Sequence, residues 1–427
     1  MLLNFITENY LSFKERAELD LTASSSKKDA DNVHVHKKYR ILKSSAIYGA
    51  NASGKSNFLK AISFMKSMVT KQINPNSDID VDNFKLSSET ENLASIFEVT
   101  FLIKDYDFNG KISDVVFRYG FELDRKKIHR EWLFARFSSQ ESKLFTREGN
   151  LISNGEKFKE GSLVYKALGD INEKSLFLPL IFTLKGKNAP ISDLTIKWFS
   201  KLNDITSIRD YNLNGITLSL LDKKIITKEA LNEAFKLADL SIDGFSIEEN
   251  EVDKSSEKQG GLFRRELNKL VNIKLNTSHP KYDENKNLVD NINFDFEKYE
   301  SDGTKKFFAI IGPILHALKE GLILIQDEID SKLHPSLAQA IISLFNSKAN
   351  SKGAQLIFTT HNIDLMDLLR KEQIYFVDKN HYGESDLYSL DDFNVRNDVL
   401  FSKNYYLGKF GAVPAIGNLE SLIVKDQ

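Results

Sequence analysis

The 427-residue sequence contains no cysteine, which excludes disulfide bonds and thiolate metal sites and fits a reducing compartment. Excess charge of one sign is missing too: 58 Lys and Arg stand against 60 Asp and Glu, a net charge of −2. That balance gives no global attraction to nucleic acid or to an anionic membrane, although it leaves room for a local basic face. No apolar run reaches the about 18 residues of a membrane-spanning helix, so no span is expected. Met1-Leu2-Leu3-Asn4-Phe5 lacks the basic segment and long apolar core of a signal peptide, and a cytoplasmic setting is the expectation. No internal repeat is visible. No heptad pattern persists over several turns, which argues against a long coiled-coil arm. What remains is an ordinary globular composition, 41 % hydrophobic and 28 % charged, long enough for two or three domain-sized units.

Against this background one stretch carries specific chemistry. Gly49-Ala50-Asn51-Ala52-Ser53-Gly54-Lys55-Ser56 fits G-x-x-x-x-G-K-[ST], followed by Asn57. The glycines let the backbone curl so that successive N–H groups face phosphate oxygens. Lys55 then reaches the β/γ-phosphates and the Ser56 hydroxyl is placed for Mg²⁺. The flanks agree with the motif. Residues 45–48 read as a buried strand, and Phe58, Leu59, Ile62, Met65 and Met68 recur at helical spacing, which aims a helix N-terminus at the phosphates.

Along the chain, residues 2–7 and 15–22 read as an antiparallel hairpin, and polar residues 23–38 as a surface loop. His34 and His36 sit two apart in that loop, without a visible third metal ligand, and read as exposed edge-strand histidines. Residues 97–103, 115–123 and 128–137 form a predicted meander, separated by turn-like residues 107–110 and 124–127. Longer helical patterns follow in 165–245, for example 227–240. Residues 249–261 are linker-like, and 270–276 with 289–296 bracket a hairpin turn.

The C-terminal third returns to chemistry. Residues 321–328 are an apolar strand ending in Asp327-Glu328; after a phosphate loop such a pair suits metal binding and polarisation of an attacking water. Residues 356–361 are a second apolar strand ending in a polar cluster, where His361 could reach a γ-phosphate or orient the water. Ser301-Asp302-Gly303-Thr304-Lys305 opens a helix through Phe307, Phe308, Ile311, Ile314 and Leu315, a second anion-binding end. Two such ends in one chain suggest that one serves a neighbour's nucleotide.

In this order the motifs resemble the ABC-type ATPase heads, the group that includes SMC and RecF-like proteins. Gly49 to Ser56 match Walker A. Ser301, Gly303 and Lys305 match the signature motif, with Asp302 and Thr304 departing from its commoner Ser-Gly-Gly-Gln form. Asp327 and Glu328 match Walker B with its catalytic glutamate, Asp330 and Ser331 fall in the D-loop, and His361 matches the switch histidine. For the Q-loop, Gln72 is the only nearby glutamine. The chain further resembles bacterial stand-alone ATPases described as AAA-family or abortive-infection ATPases. Marks of that group are Glu8-Asn9-Tyr10-Leu11-Ser12-Phe13, Tyr119-Gly120-Phe121-Glu122, Glu131-Trp132-Leu133, Leu237-Ala238-Asp239-Leu240 and the run from Tyr406 to Pro414.

The resemblance implies an α/β fold: a P-loop ATPase head of mixed sheet with an antiparallel β subdomain. Lys55 and Ser301 lie 246 positions apart, which calls for an inserted β-plus-helical lobe. The expected division is 1–137 and 299–427 for the two ATPase halves and 138–298 for a mostly helical insertion ending in a hairpin. Only 66 residues follow His361, short of the about 100 of an independent domain, so a C-terminal Toprim nuclease is not expected. The implied cofactors are ATP and Mg²⁺. Catalysis falls to Glu328, His361 and Lys55, nucleotide binding to residues 49–57 with Ser301, Gly303 and Lys305, and metal binding to Ser56 and Asp327. The implied assembly is a homodimer, or a higher even oligomer, closed by ATP. It would regulate a separately encoded effector of nuclease or Toprim type in phage defence. The alternative is a RecF-like DNA-repair ATPase using Arg125-Lys126-Lys127, Lys223-Lys224 and Arg264-Arg265; a transporter subunit is disfavoured by the long insertion.

Overall fold

The computed structural model describes residues 1–71, 77–108, 110–205, 210–238, 242–252, 262–266, 269–396 and 399–414. Two sheets organise them. The first is a seven-stranded antiparallel sheet in the order Leu151–Asn154, Ser142–Glu148, Ile128–Arg136, Lys111–Leu123, Ser95–Phe108, Leu2–Glu8 and Ala17–Asp20. The second has six strands in the order Leu202–Asp204, Ile323–Gln326, Gln355–Thr359, Ser44–Tyr48, Ile374–Lys379 and Ser385–Ser389, parallel except for the last. The central strands of the second sheet are buried from end to end, as continuous apolar runs covered on both faces should be.

Alternation along these strands divides the interior into two cores that share the parallel sheet. On one face, Ile47, Ile325, Ile357 and Tyr375 meet the helix Lys55–Thr70 and the aromatic face of the antiparallel sheet, including Phe97, Phe101 and Phe117. Phe58 lies edge-on to both Phe5 and Phe13, which ties the helix to the N-terminal hairpin. On the other face, Ala46, Leu324, Leu356 and Phe358 meet the helices Asp302–Glu320 and Pro335–Asn346 through Phe307, Phe308, Ile342 and Phe345. The loop that carries Lys55 is therefore held from both sides.

The meander runs on past residue 137, because Ser142–Glu148 and Leu151–Asn154 add two strands to it, with Leu144 and Phe145 turned into the core. These strands are short and interrupted by charge, so their alternation is weak in the sequence. The stretch expected as an insertion also contributes to the six-stranded sheet. Leu202–Asp204 forms its edge, and Asp210–Asp222 packs on the helix Asp302–Glu320, where Thr217 Oγ1 donates to Phe308 O at 2.9 Å. The polar loop 23–38 contains half of a two-stranded ribbon, Val33–His36 with Tyr39–Leu42. The hairpin at 270–296 is longer than expected, Lys269–Tyr282 with Leu288–Asp295. The longest helix among the described residues has 19 residues, so no long coiled coil is present there, and no described helix is long and apolar enough to cross a membrane.

Two buried carboxylates hold the helices that follow the meander. Glu131, fully buried on its strand, accepts the N–H groups of Phe177 and Leu178 and the hydroxyl of Tyr119 at 2.6–3.0 Å. Burial raises its pKa, and the Arg147 guanidinium 3.8 Å away opposes that shift. Glu160 caps Pro190–Phe199 in the same way, through the N–H groups of Ile191 and Ser192. Glu131→Ala leaves Arg147 and two helix-end donors buried beside the vacated site, and should cost about 3 kcal/mol in a denaturant titration. Glu131→Gln, which keeps an acceptor, should cost less.

Candidate active site

The phosphate-loop strand Ser44–Tyr48 delivers the chain into a tight turn whose glycines are required twice over. Gly49 has φ 151° and Gly54 φ 122°, conformations that favour glycine. A Cβ at Gly49 would also lie 2.3 Å from Val377 O, and one at Gly54 would lie 2.5 Å from Ser385 Oγ and 2.7 Å from Ser12 Oγ. The exposed tip, Asn51-Ala52, includes a left-handed residue, Ala52 at φ 60°. The loop is clamped from outside: Ser385 Oγ donates to Ser53 O, Ser385 N donates to Ser12 O at 2.7 Å, and Asn57 Nδ2 donates to Ser12 Oγ at 2.9 Å.

The helix Lys55–Thr70 starts without a side-chain cap, since Gly54 is its N-cap, and has no acidic residue in its first turn. Its own cap and first turn thus leave the positive end uncompensated, which suits an anion. Lys55 Nζ is turned onto its own loop, donating to Gly49 O at 2.9 Å and Ala50 O at 3.0 Å. Burial lowers its pKa, while Asp327, Glu328 and Asp330 pull in the opposite direction. Lys55 and these carboxylates therefore share one electrostatic site. Ser53 Oγ and Asp330 Oδ1 are buried there without a hydrogen-bond partner in the protein. Such orphans cost about 1–3 kcal/mol each, which a bound polar group or water would relieve.

The sheet order puts the strand Gln355–Thr359 between the phosphate-loop strand and the strand that leads to Asp327. Thr359, at its end, spans the gap. Its hydroxyl donates to Asp327 Oδ1 at 2.5 Å and accepts the N–H of Glu328 at 2.8 Å, so one side chain fixes two consecutive carboxylate residues. Glu328 is in the left-handed region, φ 45°, and exposed, which costs roughly 1–2 kcal/mol of backbone energy and turns it out of the strand. His361, two residues beyond Thr359, is exposed at the same end of the sheet. Thr360 N donates to Ile47 O at 3.3 Å and fastens that strand end to the phosphate-loop strand. Ser56, half-buried in the first helical turn, and Asp327 supply hard oxygen donors of the kind Mg²⁺ takes. The residues present fit a Mg²⁺–nucleotide.

Ser301, Gly303 and Lys305 are elsewhere. Ser301 caps the helix Asp302–Glu320, its Oγ accepting Thr304 N at 3.1 Å and paired with Thr304 Oγ1 at 2.8 Å. Lys305 Nζ donates to Glu297 O at 2.6 Å, and Asp302 faces Lys332 Nζ at 3.7 Å. A Cβ on Gly303 would lie 3.0 Å from Lys332 O, so this end is packed against the segment after Glu328. Among the described residues, no hydrogen bond joins Ser301, Gly303 or Lys305 to residues 49–57. Ser301 and Asp302 are exposed.

The remaining candidates resolve individually. His34 and His36 are partly buried rather than exposed, and they diverge. His34 Nε2 lies 2.8 Å from Lys104 Nζ, and burial, with Lys104, lowers its pKa to about 4. His36 gathers with Asp105 and Asp114, but the Lys37 ammonium sits 3.1 Å from both carboxylates and already supplies positive charge. In the basic run at 125–127, Lys126 pairs with Asp78 at 2.9 Å. Gln72 lies outside the described residues, as do Asp239, Leu240 and most of the 249–261 linker; the strand Leu262–Glu266 places the backbone of Arg264 and Arg265.

The sequence reading missed Thr359, Ser12 and Ser385 as supports. A threonine at the end of an apolar strand is a faint signal, and the pairing of Ser12 with Ser385 has none. Thr359→Val keeps the shape and removes the bridge. It should lower ATP turnover about 10- to 100-fold, the usual effect of losing a group that orients metal-site carboxylates, with little change in melting temperature. Steady-state kinetics against Mg²⁺ concentration checks this.

No curated protein matches the sequence. Similar solved structures include an SMC head domain from Thermotoga maritima, 14 % identical, with 91 % of this chain and 98 % of that chain covered and a TM-score of 0.38. Another is an SMC head bound to the C-terminal winged-helix domain of ScpA, at 14 % identity, 91 % and 97 % coverage and a TM-score of 0.41. A third is an SMC head with an extended coiled coil from Pyrococcus furiosus, 12 % identical, covering 96 % and 98 %, with a TM-score of 0.40. The family described as "AAA domain, putative AbiEii toxin, Type IV TA system" matches residues 44–367, a span from the phosphate-loop strand to beyond His361. The chain belongs to this AAA-domain family.

Proposed function

We propose that the chain is an ATP-driven dimerisation switch in which each nucleotide is closed between two copies. The observation that carries this reading is the contrast between two helix ends. One, at Lys55, is open and gathered with Asp327 and Glu328. The other, at Ser301, is exposed and unconnected to the loop of its own chain. A second copy's Ser301, Gly303 and Lys305 would complete the phosphate site.

Within each half-site, residues 49–57 bind the phosphates through backbone N–H groups, and Lys55 leaves Gly49 O and Ala50 O to meet them. Ser56 and Asp327 would hold Mg²⁺, which when bound neutralises phosphate charge. Glu328 accepts the proton of the attacking water, and His361 orients that water or the terminal phosphate. A cavity of about 240 Å³ beside the loop, lined by Leu11, Ser12, Asn57, Phe84, Leu86 and Gly383 among others, is the place for the nucleoside. The family description supports a role in abortive infection or toxin–antitoxin defence. In that role, opening and closing of the pair would be relayed to a separately encoded effector of nuclease or Toprim type.

Glu328→Gln should lower turnover at least about 100-fold, the range for losing a general base, and trap an ATP-bound dimer on size exclusion. Lys55→Ala should stay monomeric with ATP. Wild-type turnover in Glu328→Gln would remove the glutamate from its assigned role, and a Glu328→Gln protein that stayed monomeric at saturating ATP would remove the switch.

A further inference from the structure

The residue immediately before the exposed helix end is a carboxylate, Glu300, and its position is controlled from the neighbouring hairpin. Glu300 Oε1 accepts Thr277 Oγ1 at 2.6 Å and pairs with His279 Nε2 at 2.8 Å; its side chain is 9 % exposed. Thr277 and His279 share one face of the strand Lys269–Tyr282, two residues apart. Phe294, opposite Thr277, packs edge-on to His279 at 5.3 Å and sits 5.4 Å from Tyr299, so a ring ladder runs alongside the polar contacts to the same segment. The hairpin and residues 299–300 are thus joined by both polar and ring contacts.

The electrostatic consequence concerns Ser301. If Ser301 meets the partner's terminal phosphate, a free carboxylate one residue away would repel it. In the partly desolvated environment of a closing interface such like-charge repulsion is far stronger than in bulk water. His279 and Thr277 hold Glu300 folded against the hairpin, bonded and largely out of solvent. We infer that His279 is a positioning residue for the composite site, keeping the Glu300 carboxylate clear of the phosphate that Ser301 receives. This rests on the dimer reading above and adds to it the residue that makes the second helix end fit for an anion.

The test uses full-length protein carrying Glu328→Gln, with ATP-dependent dimerisation measured by analytical ultracentrifugation and ATP affinity of the isolated chain by fluorescent-analogue titration. His279→Ala should weaken the ATP-bound dimer about tenfold, as expected for losing a hydrogen bond to a charged group, and leave monomer ATP affinity unchanged. His279→Gln, which can still donate to Glu300, should recover most of the loss. Adding Glu300→Gln to His279→Ala should also restore dimerisation, because the charge is gone; a hairpin that was merely destabilised would not be rescued that way. Unchanged dimerisation in His279→Ala, or no rescue by Glu300→Gln, overturns the inference while the dimer reading stands. Failure of Glu328→Gln alone to dimerise overturns both.

Discussion

The site depends on a single hydroxyl. Because the strand Gln355–Thr359 separates the phosphate-loop strand from the carboxylate strand, Asp327 and Lys55 are not brought together by direct strand pairing. Thr359 occupies the separation and bonds both Asp327 and the backbone of Glu328. Around it the parallel sheet is buried on both faces, so the strand ends cannot shift without disturbing two cores at once. The precision of the carboxylates thus comes from packing distributed over the whole sheet and is delivered through one side chain.

The two helix N-termini differ in a way that divides labour. At Lys55 the chain spends no cap and no acidic residue, and the close approach of Val377, Ser385 and Ser12 admits only glycine at the bends. At Ser301 the end is self-capped, carries Asp302 in its first turn and is preceded by Glu300. In the proposed function the first end would bind an anion already in the single chain. At the second, Lys332 lies 3.7 Å from Asp302, and His279 with Thr277 holds the Glu300 carboxylate against the hairpin. In the proposed switch such an arrangement would place binding before closing.

Much of this was legible locally. Gly49 to Ser56 with an apolar strand before and helical periodicity after specifies strand, loop and helix within 26 residues, and each element formed within a residue or two of its expected bounds. Asp327-Glu328 and Ser301 were readable because strand ends and helix starts carry short-range signals. Thr359 and the Ser12–Ser385 clamp were not, since their meaning arises from strand order and from contacts more than 300 positions apart in the second case. The same limit hid Leu202–Asp204, three residues whose only reason to be a strand is the edge of Ile323–Gln326 beside them. His34 and His36 show the converse: a suggestive spacing was split by tertiary contacts to Lys104 and Asp114.

Whether each site is shared between two chains can be decided by mixing. Lys55→Ala lacks the phosphate lysine but keeps an intact Ser301 end, and Ser301→Arg has the opposite defect. If the site is built from Lys55 of one copy and Ser301 of another, each variant alone hydrolyses ATP at background rate, while an equimolar mixture forms heterodimers with one complete site and recovers a substantial fraction of wild-type turnover. Background turnover in the mixture, with heterodimers demonstrated by differential tagging, would contradict the shared site.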